Sequence, residues 1–512
     1  MSLRRNILAS YVSQGYVTLI SIVTMPFYLR YLGAEAYGLV GFFAMLQAWF
    51  MLLDMGLSPT LARETARFKG NALDADDYRS FVRALEALFL VVALIGGGLL
   101  FLGADHLAHD WLNVSTISYA VVERALQVMA LIVALRWMSG LYRSIASGSE
   151  RLVWLAGFQA AVATVRFIGV LLVLEYLSAT ITAFFWYQLA IAGLELVVLV
   201  GYAARQLPPR SAERSLWSSF AVVRPMVKFS LSLAFTSSVW IFITQTDKLI
   251  LSKILPLADY GYFTLAVLVA GGVMAISGPV SSALMPRMAR LEAEQDRRGL
   301  VDVYRRSTQL VVAVSASASI TLALGAHALL YAWTGDHLLA SHASPVLVPY
   351  ALGNGILAVS AFPYYLQYAK GNLRMHLIGN LLFVVLLIPL IVWAAGAYGG
   401  VGAGYVWLLT NALYLLAWTP LVHRYLQVPL NRPWFGRDIA AIAVPVAAAG
   451  LALSSLLPWD GDRWVSCANV AALFAVTVLV GAASTTRGWM NIRAYAASHE
   501  GAAAWTGRRW RG

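Results

Sequence analysis

The chain has 512 residues, of which 60% are hydrophobic and 12% charged, with 37 Lys and Arg against 25 Asp and Glu for a net charge of +12. Soluble domains carry roughly twice that share of charge to cover their surface, so an ordinary soluble enzyme or binding domain is excluded. Nucleic-acid binding is disfavoured as well, because the basic residues are spread over short loops and form no stripe on one face of a folded domain.

A hydrocarbon core roughly 30 Å thick takes about 20 apolar residues per helix, and about fourteen runs meet this length. They lie near 7–29, 37–57, 81–104, 117–142, 152–176, 179–203, 228–251 and 260–285, followed by 308–333, 344–368, 375–397, 399–423, 439–457 and 464–483. Each run is far longer than a barrel strand and has no alternating polar face. The expected fold class is therefore an all-α polytopic membrane protein with about fourteen transmembrane helices.

Threaded in this order, about thirty of the 37 basic residues fall on one side. That side begins with Arg4 and Arg5, continues through Arg63, Arg67, Lys69 and Arg79, and ends with the tail Arg487, Arg493, Arg508, Arg509 and Arg511, whereas Arg30, Lys253 and Arg463 fall opposite. The positive-inside rule then places both termini in the cytoplasm. The run after Arg5 is longer than a signal-peptide core and lacks a small-residue cleavage site, so it is expected to remain as the first helix. The single cysteine, Cys467, excludes a disulfide framework and a Cys-based metal site.

The chain also repeats itself at an offset of about 223 residues. Leu32 to Gly38 aligns with Leu255 to Gly261 through their Tyr-Gly pairs, Ser58 to Arg67 with Ser281 to Arg290, and Gly148 to Arg151 with Gly371 to Arg374. A fixed offset is the mark of a duplicated fold, and one that spans an even number of helices makes the copies parallel. The expected organisation is an N-terminal six-helix lobe (1–215), a parallel C-terminal six-helix lobe (216–430), and two further helices with a basic tail (431–512). Parallel halves leave a cavity between them and can rock to give alternating access.

Ionisable side chains inside the bilayer are costly and ask for a reason. They cluster in the first seven runs; from 260 to 483 the expected span interiors hold no Asp, Glu, Lys or Arg. Arg166 lies about 21 Å along its helix from the cytoplasmic end, and its planar fork of donors suits phosphate oxygens. A structural pair with Glu195 on the next helix is the alternative. Arg136 can contact an anion or snorkel to the interface, and Arg124 can do so or be neutralised by Glu123. Asp247 and Lys248 are adjacent and so point about 100° apart, which suggests a different partner for each. Lys248 could meet a phosphate and Asp247 a proton or cation. Asp54, which shares a helix face with Gln47, and Glu86 are candidate protonation sites or partners of nearby arginines. The second half instead offers neutral and aromatic groups, among them Tyr364, Gln367, Asn380 and Asn411, suited to lining a path for sugar rings or to gluing helices together.

There is no Walker A loop, no His-Glu-x-x-His and no CxxC pair, and the loops leave no room for a soluble catalytic domain. No catalytic residue, metal or cofactor is expected, and the chain is read as a transporter, not an enzyme.

At Tyr31-Leu-Gly-Ala-Glu-Ala-Tyr-Gly38, Leu53-Asp-Met-Gly-Leu-Ser58 with Leu61-Ala-Arg-Glu-Thr-Ala-Arg67, and Asp247-Lys-Leu-Ile-Leu-Ser-Lys253 with Tyr260-Gly-Tyr262, the chain resembles polysaccharide transporters of the multidrug/oligosaccharidyl-lipid/polysaccharide (MOP) superfamily. It looks most like the Wzx-type O-antigen flippases, and the resemblance covers about the first twelve spans. It implies two six-helix lobes around a V-shaped cationic cavity in the bacterial inner membrane. It also implies translocation of an undecaprenyl-pyrophosphate-linked oligosaccharide, such as an O-antigen unit, whose pyrophosphate would be the anion for the intramembrane candidates Arg166, Lys248, Arg136 and Arg124. Asp247, Asp54 and Glu86 would then serve Na+ or H+ coupling, and polymerase or ligase machinery would be a partner. A lipid II flippase and a MATE-like exporter of small molecules are the alternatives.

Overall fold

The computed structural model describes residues 3–208, 238–426, 431–459 and 461–486. These are overwhelmingly helical, and their only strand-type pairing is an isolated bridge between Asn113 and Pro256. Twelve segments are long and apolar enough to cross a membrane. One of them, Arg374–Tyr425, runs through Gly399, whose φ of 59° and ψ of −142° break the helix, so it holds two successive helices. The expected run at 228–251 lies partly outside the described residues, as do the repeat match at 281–283 in its side chains and the basic tail from 487 onward.

The chain forms two compact units, Met1–Gly261 and Tyr262–Gly512. In the first, α1 (Leu3–Leu32) and α2 (Ala34–Phe50) are followed by a short turn ending at Asp54. Met55 and Gly56, both left-handed, stop the chain there and launch α3 (Leu57–Lys69). Its last turn carries Arg67 and Lys69, where the helix dipole favours cations. The spans α4 (Ala75–Leu102), α6 (Tyr119–Gly148), α7 (Leu152–Tyr176) and α8 (Ile181–Gln206) complete the bundle, with the short α5 (Ala104–His106) between α4 and α6. Helix α6 is the hub and packs against α3, α4 and α8, while α1 lies along α7.

The segment after α5 is tied down at both ends. Buried Glu35 accepts hydrogen bonds from Ser115 N, Thr116 N and Thr116 Oγ1, and Asn113 bridges to the turn joining α9 (238–254 among the described residues) and α10 (Leu257–Ala293). Gly38 lets α2 approach that turn closely: a Cβ there would stand 2.1 Å from the Leu257 carbonyl oxygen. Helices α2 and α10 open at positions separated by the same offset as the sequence repeat.

In the second unit, α11 (Arg297–Leu324) takes the central place, followed by α12 (Ala326–Thr334), α13 (His337–Ser360), α14 (Phe362–Ala369), α15 (Arg374–Leu413) and α16 (Thr419–Tyr425). The extra segment holds the short α17 (Asn431–Pro433), α18 (Ala441–Ser454) and α19 (Arg463–Ser484). Helices α18 and α19 pack on α11. Asp296, Asp336 and Asp462 cap α11, α13 and α19 by accepting from backbone amides of the first turn. Pro363 stands in the first turn of α14, within the candidate span His337–Ala369. Just outside the charge-free runs of this half, Asp438, fully buried in the turn before α18, takes a bidentate pair from Arg305 of α11 at 2.7 and 3.0 Å, and the Arg305 side chain stays 31% exposed.

Candidate functional site

A cavity of about 290 Å³ in the first unit gathers polar groups from several spans. Its walls include Gln47 of α2, Asp54, Ser58 of α3, Arg136 and Arg143 of α6, and Arg166 of α7. Arg136 is held from two sides, donating from Nη1 to Gln47 Oε1 at 2.6 Å and from Nη2 to Gln188 Oε1 at 3.0 Å. Its carbon Cζ sits 5.5 Å from the Phe43 ring centroid. Gln188, on α8, also approaches the Arg166 carbonyl oxygen at 3.5 Å through Nε2, so one side chain links the helices that carry both arginines. The Arg166 guanidinium lies 4.3 Å from the Phe167 ring centroid and has no ion pair among the described residues.

The partner choice differs from the sequence expectation at one point. Glu195, the alternative partner proposed for Arg166, is paired with Arg143 instead. Arg143 falls just past the expected run 117–142, yet α6 continues to Gly148 and carries it into the cavity. The available signal was its spacing: positions 136, 140 and 143 fall on one helix face. Arg136 and Arg166 thus remain the two cavity arginines without a carboxylate partner among the described residues.

Asp54 accepts from Ser58 Oγ at 2.5 Å and from Ser58 N at 3.2 Å, on the same cavity wall as Gln47. Glu86 accepts from the Tyr142 hydroxyl at 3.2 Å. Arg124 is exposed and does not line this cavity, and its neighbour Glu123 accepts from Gln127 at 3.0 Å. Asp247 and Lys248 do pair, contrary to the expectation of separate partners: Lys248 Nζ curls back to the Thr244 carbonyl at 2.6 Å and lies 3.4 Å from Asp247 Oδ1. Flexible lysine stems can close an angle that the helix positions alone would leave open.

In the second unit, Gln367 and Asn411 are fully or almost fully buried. Gln367 accepts from His376 N at 2.7 Å and Asn411 donates to the Trp407 carbonyl at 2.8 Å, so both amides are engaged with backbone. Tyr364 and Asn380 keep partial exposure, with Asn380 Nδ2 3.1 Å from His376 Nε2. No group of three or more metal-ligating side chains occurs among the described residues.

Two units of apolar spans, with a polar cavity whose Arg136 and Arg166 have no carboxylate partner among the described residues, define a multi-pass membrane protein of the transporter kind. The chain belongs to the family described as polysaccharide biosynthesis protein, whose model matches residues 3–292. It is 21% identical over 427 residues to a Shigella flexneri protein described as a candidate O-antigen transporter, an alignment covering 82% of this chain and 97% of the relative. A Salmonella typhi protein of the same description is 22% identical over 299 residues, covering 57% of this chain and 66% of the relative. Among solved structures, the lipid II flippase MurJ in an inward closed conformation aligns with a TM-score of 0.72 at 12% identity, over 93% of this chain and 98% of that one. An inward-facing multidrug resistance MATE family transporter of the MOP superfamily aligns at 0.63 and 12% identity, over 81% of this chain and 96% of that one. At such identities the structures show a shared fold alone.

Proposed function

We propose that this protein flips an undecaprenyl-pyrophosphate-linked oligosaccharide, an O-antigen unit or similar surface-polysaccharide precursor, across the bacterial inner membrane by alternating access of lobes 1–215 and 216–430. The observation that carries this reading is the pair of cavity arginines without carboxylate partners, Arg136 and Arg166. A glycan diphosphate cannot cross hydrocarbon unaided, whereas its lipid tail can stay in the bilayer. Guanidiniums facing a wet cavity can shelter the diphosphate by forked, charge-assisted hydrogen bonds and still release it. Arg136 is held in place by two glutamine oxygens that an anion could displace, and Arg166 needs no such displacement. Lys248 and Arg124 stand outside this cavity and would serve, if at all, at another stage of the cycle.

Polysaccharide-family membership and the O-antigen relatives support the substrate class. A cavity with unpaired arginines is poorly suited to small cationic drugs, which acidic walls would attract. In the coupling reading, Asp54 takes up a proton or Na+ on the same wall and Asp247 and Glu86 act elsewhere in the unit; both termini face the cytoplasm.

The test is the leaflet distribution of lipid-linked glycan in cells depleted of the protein and complemented with wild type, Arg136→Ala or Arg166→Ala. Wild type is expected to clear cytoplasmic-side intermediates, and each variant to clear them at least tenfold more slowly at equal membrane abundance. Unchanged clearance by both variants refutes the anion role. An unchanged distribution on depletion refutes the substrate, and accumulation of lipid II in its place would favour the peptidoglycan precursor.

A further inference from the structure

A second cationic site lies in the second unit, on residues other than those of the cavity described above. A pocket of about 830 Å³ is formed where the first turns of α11 meet the turn before α18 and the end of α19. Its framework is a closed network. Buried Asp438 takes Arg305 bidentately and Gln309 Nε2 at 2.7 Å, and Gln309 Oε1 in turn accepts from Thr486 N and Oγ1 at 3.1 and 2.9 Å. Three separate stretches of chain are thereby fixed before any ligand arrives.

On this framework stand Arg297, Arg298 and Arg437, exposed and without a carboxylate ion pair among the described residues. Arg306 is engaged by Asp302 at 2.7 Å in an exposed pair that water can loosen. Apolar groups line the pocket beside the charges: Val301 is half-buried and Leu310 is 52% exposed. The sequence repeat does not reproduce the cluster, since the positions matching Arg297 and Arg298 are Asp74 and Ala75. The site exists because the extra C-terminal helices dock on α11.

We propose that this pocket binds the phosphate of an anionic phospholipid headgroup, such as phosphatidylglycerol, on the face that the Lys/Arg bias assigns to the cytoplasm. Guanidiniums without carboxylate partners supply the phosphate contacts, the apolar lining at Val301 and Leu310 adjoins the acyl chains, and a basic pocket between spans at the membrane surface is the arrangement that selects anionic headgroups. The inference is independent of what the protein transports.

The full chain in neutral detergent would be titrated with short-chain phosphatidylglycerol, with phosphatidylcholine of the same chains, and with inorganic phosphate, and bound species counted by native mass spectrometry. Wild type should retain phosphatidylglycerol in preference to phosphatidylcholine. At roughly a fivefold effect per basic residue near a lipid surface, Arg298→Gln/Arg437→Gln should weaken phosphatidylglycerol binding about 30-fold. Both positions are exposed and outside the Asp438 network, so the variant should fold, which an unchanged melting midpoint checks. Equal retention by the variant, or equal retention of the two lipids by wild type, overturns the site. Inorganic phosphate displacing the lipid at equal concentration overturns the lipid assignment.

Discussion

Replacing Arg143 by Ala tests how the first-unit cavity is held. Glu195, whose side chain is 3% exposed, would lose its guanidinium partner. Removing one member of a fully buried pair costs roughly 3–5 kcal/mol, because the other charge stays behind without compensation. Arg143 is itself 35% exposed, so water already shares its solvation. The expected loss therefore falls to about 2–3 kcal/mol. Glu195→Ala should cost less, since it strands the better hydrated of the two charges. Arg143→Ala/Glu195→Ala should recover most of the loss, because neither charge remains. The assay is the melting midpoint of the detergent-solubilised full chain for the two single variants and the double. Strictly additive losses would refute the pairing argument. The same variants carry a functional readout: a double variant that regains stability but clears no lipid-linked glycan would give Arg143 an anion contact beyond its structural pairing.

Gly38→Ala should sharply reduce the yield of monodisperse protein, by about 1–3 kcal/mol of overpacking or more, because its Cβ would meet the Leu257 backbone oxygen at 2.1 Å. Gly15→Ala, with no heavy atom within 4 Å of the added carbon, is the matched control and should be neutral in the same size-exclusion measurement. Asn354→Ala should lower the melting midpoint through a loss of about 1–3 kcal/mol, since Asn354 joins the Ala270 carbonyl to the Trp407 indole N–H and both would be left buried without it. A cysteine placed at the exposed Arg151 in a Cys467→Ser background should react with an impermeant maleimide only when the cytoplasmic face is opened; labelling in intact spheroplasts would reverse the assigned orientation.

Hydropathy and charge in the sequence determined the class of protein and the approximate position of most spans, and the internal repeat was legible as a fixed offset. These are properties of composition along the chain: the bilayer demands apolar length whatever the helices touch, and the same offset that relates Tyr37-Gly38 to Tyr260-Gly261 reappears in the starts of α2 and α10. Arg136, Arg166, Gln47 and Asp54 were also legible as costly intramembrane polar groups, and they meet on one cavity. Partner choice was not legible. That Glu195 takes Arg143 and not Arg166, that Lys248 folds back onto Asp247, that Gln367 and Asn411 are buried, and that Arg305 reaches Asp438 across more than a hundred residues all depend on how neighbouring helices are rotated and how far each extends past its apolar run. Sequence spacing fixes which residues share a face of one helix, but only the packing of several helices decides which faces meet, and a side chain a few ångströms long finds its partner on that second scale.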